Sequence, residues 1–175
     1  MMLACGCPAD YPDWDGQDVD LGGHCVHELA IPMFLHMPFA YEMYIQRQQQ
    51  TIGELQLVER WPGLVLTRTG VLRGRLLRLL EHTGSPARQV RFLPRPFNVR
   101  GIMHYGNVST IRDSVRKIQM GLLDTGRMPK ELYLCHLTCP RCAAERGGDR
   151  ILLLRRWAES ATLKRRLNAR RSDAR

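Results

Sequence analysis

The sequence lacks any apolar run near the roughly 18 residues that a membrane-spanning helix needs, which excludes a helical integral membrane protein. Its opening segment, MMLACGCPADYPD, lacks the basic start and apolar core of a secretory signal, so the expected setting is the cytoplasm, with reduced thiols. No Gly-rich phosphate loop, G-x-S-x-G or H-E-x-x-H motif is present, so no reaction class is written in the motifs. Lysine is scarce: 23 of the 26 basic residues are arginine. Residues 1–46 contain no Lys or Arg, and they hold seven acids, Asp10, Asp13, Asp15, Asp18, Asp20, Glu28 and Glu42.

What is present is a globular balance. The 175 residues are 44% hydrophobic and 25% charged, enough for one domain or a pair of subdomains. The acids of the first 46 residues face a remainder that carries all 26 bases against 10 acids. The simplest physical reading is internal, with an acidic arm lying against a basic body. Asp13, Asp15, Asp18 and Asp20 are spaced as in calcium loops but lack the closing Glu, so they are expected to pair with arginines of that body. The sharper reading is that the Arg-rich body, with the tail over 150–175 (nine bases, two acids), meets a polyanion such as nucleic acid.

Six cysteines give the clearest chemistry. Cys139-Pro-Arg-Cys142 is a Cys-x2-Cys turn, which aims two thiolates at one point. A closed structural zinc site needs four ligands, and Cys5-Gly-Cys7-Pro8 is the natural second half. The expected set is therefore Cys5, Cys7, Cys139 and Cys142 around one structural zinc, with Cys25, Cys135, His136, His24 and His27 as alternatives. On a strand, His24 and Glu28 share one face and Cys25 and His27 the other, so that cluster cannot present all its groups to one ion.

A repeat is also legible. Ile31–His36 and Val99–His104 are each a short extended run ending at a histidine, followed by helix candidates over 39–58 and 109–125. In the second, Ile111, Val115, Ile118 and Leu122 recur on one face, Ser109 or Thr110 can cap, and Gly126 can end the helix. Strand-like runs follow at Trp61–Thr67 and Met128–Cys135, then at Arg75–Leu80 and Arg150–Arg155. The pattern predicts an α+β fold. It has tandem duplicated strand–helix–strand–strand units in a pseudo-twofold domain, with a metal-clipped N-terminal arm and a basic C-terminal tail. The expected divisions are an arm over 1–24, a first repeat over 25–81, a connector over 82–96, a second repeat over 97–157 with a Cys-rich insertion at 138–149, and the tail over 158–175.

This strand–helix–strand–strand repeat resembles the gyrase-inhibitor-like, SOUL-type small-molecule-binding domains. The resemblance implies two units packed about a pseudo-dyad, with a ligand cleft between the helices. On the chain's own residues, His36, His104 and Tyr105 are the candidates to face such a cleft. The expectation is a non-enzymatic zinc-binding protein with a cleft for a small molecule or protein partner. The alternatives are a zinc- or thiol-dependent hydrolase and a basic nucleic-acid-binding accessory protein. No membrane partner is expected.

Overall fold

The computed structural model describes residues 1–81 and 85–173. The first three residues of the expected connector (82–84) and the last two of the basic tail (174–175) lie outside that range. Nine strands form one sheet in the order β1-β7-β9-β8-β4-β5-β2-β3, with β6 also pairing β2. They are β1 (Asp18–Asp20), β2 (Cys25–Phe34), β3 (Met37–Pro38), β4 (Leu66–Arg68), β5 (Arg73–Leu80), β6 (Val90–Phe92), β7 (Asn98–Tyr105), β8 (Arg127–His136) and β9 (Arg150–Glu159). The helices are α1 (Tyr41–Glu54), α2 (Arg112–Asp124) and α3 (Ala161–Asp173). All the pairings are antiparallel.

Strand alternation sorts the side chains into two layers. Val26, Leu77, Leu79, Tyr133, Cys135, Leu152, Leu154 and Val99 enter the larger core, on one face of the sheet. That face is roofed by chain outside the long strands: Tyr11, Trp14, Val19 and Leu21 from the arm, with Trp61, Leu64, Leu93 and Phe97. The opposite face carries Ile31, Met33 and Leu76, which pack against Tyr41, Tyr44 and Ile45 of α1. The stripe Tyr41, Tyr44, Ile45, Gln48 and Ile52 has helical spacing, and Gln48 and Ile52 are buried. α2 buries Ile118 and Leu122. It lies on the α1 side, because Ser114 meets His104, whose strand neighbours Val99 and Met103 serve the other core.

The expected helices and strands are present with shifted bounds. The first helix is shorter than 39–58. Ala40 precedes it with φ 48°, and Gln56, at φ 53°, lies just beyond its end. The second begins at Arg112, after a 3-10 turn over Val108–Thr110 whose cap is Asn107, with its Oδ1 accepting from the Ser109 N–H at 2.9 Å. Asn107 thus caps the 3-10 turn, while α2 itself starts from Ile111 without the side-chain cap expected of Ser109 or Thr110. Trp61–Thr67 is mostly a turn, because Pro62-Gly63 bends the chain and the Leu64 N–H donates to the Trp61 carbonyl at 3.0 Å. Only Leu66–Arg68 pairs as a strand there. The expected connector contains a strand, β6, and the basic tail is helical over Ala161–Asp173.

Strand, helix, strand, strand occurs in order at β2-α1-β4-β5 and at β7-α2-β8-β9, but the halves differ in detail. β4 has three residues and β8 has ten, β3 and β6 accompany only the first half, and His36 lies in a turn at φ 69° while His104 lies within β7. The arm docks as its charge suggested. Asp18 forms ion pairs with Arg100 and with Arg127, the latter at 2.7 Å. Asp20 accepts the Phe97 N–H at 2.9 Å and the Gly22 N–H at 2.8 Å, and Asp15 accepts the Met103 N–H at 2.7 Å. These contacts use the acids as acceptors for the body's own groups, in place of a calcium loop. Gly101 lets the arm approach: its N–H donates to the Gln17 carbonyl at 2.9 Å, and a Cβ there would collide with the Trp14 carbonyl. Gly101→Ala is expected to lift the arm and cost about 1–3 kcal/mol in denaturant unfolding, the usual scale of overpacking.

Candidate metal centre

Two loops from opposite ends of the chain meet beside the end of β8. Residues 1–8 fold back on themselves: the Leu3 N–H donates to the Cys7 carbonyl and the Gly6 N–H to the Leu3 carbonyl, each at 2.9 Å. Gly6, at φ 89°, makes the turn between Cys5 and Cys7. The second loop leaves β8 at His136. In it the Cys142 N–H donates to the Cys139 carbonyl at 3.0 Å, and the Cys139 N–H points at the Cys142 sulfur at 3.4 Å. The Cys-x2-Cys turn thus directs an amide at a sulfur, an arrangement that favours a thiolate.

The Sγ atoms of Cys5, Cys7, Cys139 and Cys142 all lie within 4.8 Å of one another, so these four side chains could hold a metal ion. Cys139 and Cys142 are 3.9 Å apart at sulfur. That is too long for a disulfide and close to the edge of about 3.8 Å that a tetrahedron with metal–sulfur bonds of ~2.3 Å requires. Cys7 and Cys142 are buried and Cys5 and Cys139 are partly so. Burial raises the Cys139 thiol, but amide hydrogen bonds from Cys142 and Arg141 and contacts with Cys7 and Cys5 outweigh it and bring the group down to about 6. Cys7 is pushed well above the ordinary range, by burial first and then by the neighbouring sulfurs. The two thiols are thus pushed in opposite directions, Cys139 towards the thiolate and Cys7 towards the thiol. Among the described residues no other group of three or more His, Cys, Asp or Glu converges in this way.

The alternative ligands lie elsewhere or face other ways. Cys135 is fully buried in the larger core, where burial alone raises its thiol. His24 Nδ1 lies 3.1 Å from the Leu21 carbonyl at the start of β2. Cys25 and His27 are buried on β2. His27 Nδ1 is 3.1 Å from Gln48 Nε2, and its Nε2 lacks a hydrogen-bond partner. His36 is exposed at the β2–β3 turn, and four strands of the sheet order (β9, β8, β4 and β5) separate β7 from β2. His36 and His104 cannot face each other across that distance. His104 is buried under α2, with Nδ1 at 2.8 Å from Ser114 Oγ and Nε2 at 3.1 Å from Thr110 Oγ1, while Tyr105 points to solvent. These three residues do not form a common cleft.

A cavity of about 540 Å³ does lie beside the cysteine cluster. One wall is the arm, Met2–Cys7. Another is α1, through Tyr41, Ile45 and Gln49, and the third comes from Val65, His136, Thr138 and Cys139. Tyr41 donates to or accepts from Thr67 Oγ1 at 2.6 Å and sets its ring edge-on to His136, with centroids 6.1 Å apart. Burial pushes the Tyr41 phenol up to about 12 and lowers the His136 imidazole, so both are neutral near pH 7. The motifs do not mark this cavity, because its walls come from four separate stretches of chain.

Sequence reasoning also missed a buried polar chain under α1. Gln48 Nε2 reaches the His27 and Leu76 carbonyls at 3.1 Å, Arg78 Nε donates to Gln48 Oε1 at 3.2 Å, and Arg78 Nη1 donates to both Glu59 oxygens at 3.0 Å. The available signal was a glutamine inside the apolar stripe of α1. Its partners follow only from the β2–β5 register, which sets His27 opposite Arg78.

Burial, and then the charge of Arg78, holds His27 below its ordinary value, and burial does the same for His136. A histidine kept neutral in the fold titrates near 6.5 once unfolded. Its contribution to stability is full above that pH and is lost as pH falls below it. Stability to urea is expected to fall as pH drops from 7 to 5. His27→Gln should reduce that dependence; an unchanged pH dependence would remove His27 from the account.

No protein-family model matches the chain, and no curated protein matches it. Similar solved structures include the crystal structure of the EcmrR C-terminal domain, at TM-score 0.61 and 9% identity, covering 81% of this chain and 96% of that one. EcmrR in the cryo-EM structure of an EcmrR–DNA complex in EcmrR-RPo also matches, at TM-score 0.56 and 8% identity, covering 81% of this chain. The chain spans 56% of that EcmrR chain. At these identities the likeness is one of fold. It corrects the expected resemblance to gyrase-inhibitor-like, SOUL-type domains, since the structures this chain matches are those of EcmrR. Among the described residues no helix is long and apolar enough to cross a membrane.

Proposed function

We propose that this chain is a non-enzymatic binding domain whose N-terminal arm is clipped to its body by one structural zinc ion held by Cys5, Cys7, Cys139 and Cys142. The observation that carries the reading is the convergence of four sulfurs from chain positions more than 130 residues apart, all within 4.8 Å. Four thiolates fill a tetrahedral shell, which leaves no open position for a metal-bound water and argues against a zinc hydrolase. All-thiolate ligation also favours zinc over the harder divalent ions, and it requires reduced cysteines, in keeping with a cytoplasmic setting. On this reading residues 1–24 are the arm, 25–157 the duplicated pseudo-twofold body and 158–175 an appendage. Native mass spectrometry of protein purified without added metal is expected to show one zinc per chain, lost on Cys139→Ser. A metal-free protein would end the proposal.

A second reading, nucleic-acid binding, is favoured by α3. Lys164, Arg165, Arg166 and Arg170 lie along that one helix, and the EcmrR chain that shares this fold is complexed with DNA. Against it, almost half of that EcmrR chain lies outside the matched part. Duplex affinity measured by fluorescence anisotropy should fall steeply with salt and weaken at least tenfold when Lys164, Arg165 and Arg166 become alanine. Salt-independent or undetectable binding would exclude this role.

A further inference from the structure

The arm that carries Cys5 and Cys7 is also a wall of the 540 Å³ cavity, since Met2, Leu3, Ala4, Cys5, Gly6 and Cys7 all line it. The rest of the cavity belongs to the body. Residues 8–24 of the arm are tied to the body by the Asp18 ion pairs, by β1 and by Arg146, whose Nη1 donates to the Pro8 carbonyl at 3.0 Å, but apart from the cysteine cluster residues 2–7 are held lightly. Among the described residues, the body's side-chain hydrogen bonds to residues 2–7 are Gln49 Nε2 to the Met2 sulfur at 3.8 Å and Arg141 to the Cys5 carbonyl at 3.4 Å, both long. The ion pair of the N-terminal amine stays within the arm, with Asp10, and is exposed. Gly63 packs against Met2, Gly6 and Pro8, which fixes where the arm sits once it is seated. Seating residues 2–7 therefore depends mainly on whatever joins the four sulfurs.

We infer that metal occupancy of the four-cysteine site builds and so controls a binding cavity for a neutral, largely apolar small molecule. The inference rests on the metal reading above. The ligand class follows from the lining. Met2, Leu3, Ile45, Val65 and Pro140 give apolar surface, while Tyr41, Gln49 and Thr138 offer hydrogen bonds without charge. One carboxylate, Glu42, and one guanidinium, Arg141, sit among the lining residues, so no net charge is selected. The volume falls within the range of ordinary small-molecule sites, about 300–1,000 Å³. Losing the metal frees the thiols, loosens residues 2–7 and opens one side to water, so ligand affinity and metal affinity are linked, and each must strengthen the other.

The test uses the full chain with Nile red, a neutral apolar dye, and measures zinc content and dye affinity on the same samples. Zinc-loaded protein is expected to bind the dye, to lose at least tenfold in affinity when a chelator removes the zinc, and to recover when zinc is returned. Ile45→Trp, which fills the cavity from α1, should keep the zinc and lose the dye. Dye bound instead at the exposed hairpin residues Phe34, Leu35, Met37 and Phe39 would ignore that substitution, and such a result would overturn the inference. Zinc present with dye affinity unchanged by chelation would overturn the inference alone. Absence of zinc would overturn the metal reading with it. Should chelation unfold the sheet, as circular dichroism would reveal, Leu3→Asp decides. It keeps all four cysteines and is expected to retain zinc and weaken the dye at least fivefold, and an unchanged affinity would overturn the coupling.

Discussion

Cys139→Ser is expected to remove bound zinc and lower the unfolding free energy by about 4 kcal/mol, the linkage contribution of a metal present at a thousand times its dissociation constant. The size follows from what the clip joins. Two backbone amides point at the Cys139 sulfur and hold it towards the thiolate. Serine keeps the turn but supplies a poor ligand. Tyr11, Trp14, Val19 and Leu21 of the arm stay on the larger core through the Asp18 ion pairs and β1, so losing the clip frees residues 1–7 with their two cysteines. The sheet has a second core, built on Ile31, Met33, Val65 and Leu76, that does not depend on the arm. The variant should therefore remain folded while residues 1–7 become sensitive to protease. Denaturant unfolding with and without a chelator checks this. The wild type should lose stability on chelation and the variant should not respond.

Glu59→Ala is expected to cost about 3–5 kcal/mol, more than most single substitutions, because it leaves Arg78 charged and unpaired in the interior. Arg78 is 1% exposed, and both its contacts to Glu59 are at 3.0 Å. Among the described residues its remaining side-chain hydrogen-bond partner is Gln48, which cannot neutralise it. Glu59→Gln keeps a hydrogen-bond acceptor and should cost less than the alanine variant. A double substitution, Glu59→Ala with Arg78→Met, should recover much of the loss by removing the stranded charge. Equal costs for all three variants would show that the pair contributes through packing alone.

The two most local features were the most legible. The Cys-x-Cys and Cys-x2-Cys pairs could be matched to each other because each turn aims two sulfurs one way, and the structure brings the two pairs together. Helix α2 was visible because Ile118 and Leu122 follow the 3.6-residue period, and Gly126 closes it with φ 74°. The histidines mislead because similar placement along the chain is not similar placement in space. His36 sits in the tight β2–β3 turn, where Leu35 and His36 both take positive φ, and that turn has no counterpart at His104. The cavity and the His27–Gln48–Arg78–Glu59 chain were hidden for another reason. Each joins residues that only the sheet register and the seat of α1 bring together.

X-ray absorption at the zinc edge, on protein purified without added metal, tests the central claim most directly. The account requires one zinc per chain with four sulfur neighbours at about 2.3 Å. A first shell with fewer sulfurs and a nitrogen or oxygen ligand would contradict the closed structural clip and return the site to catalysis. A protein without zinc whose four thiols all react freely would contradict the metal centre itself.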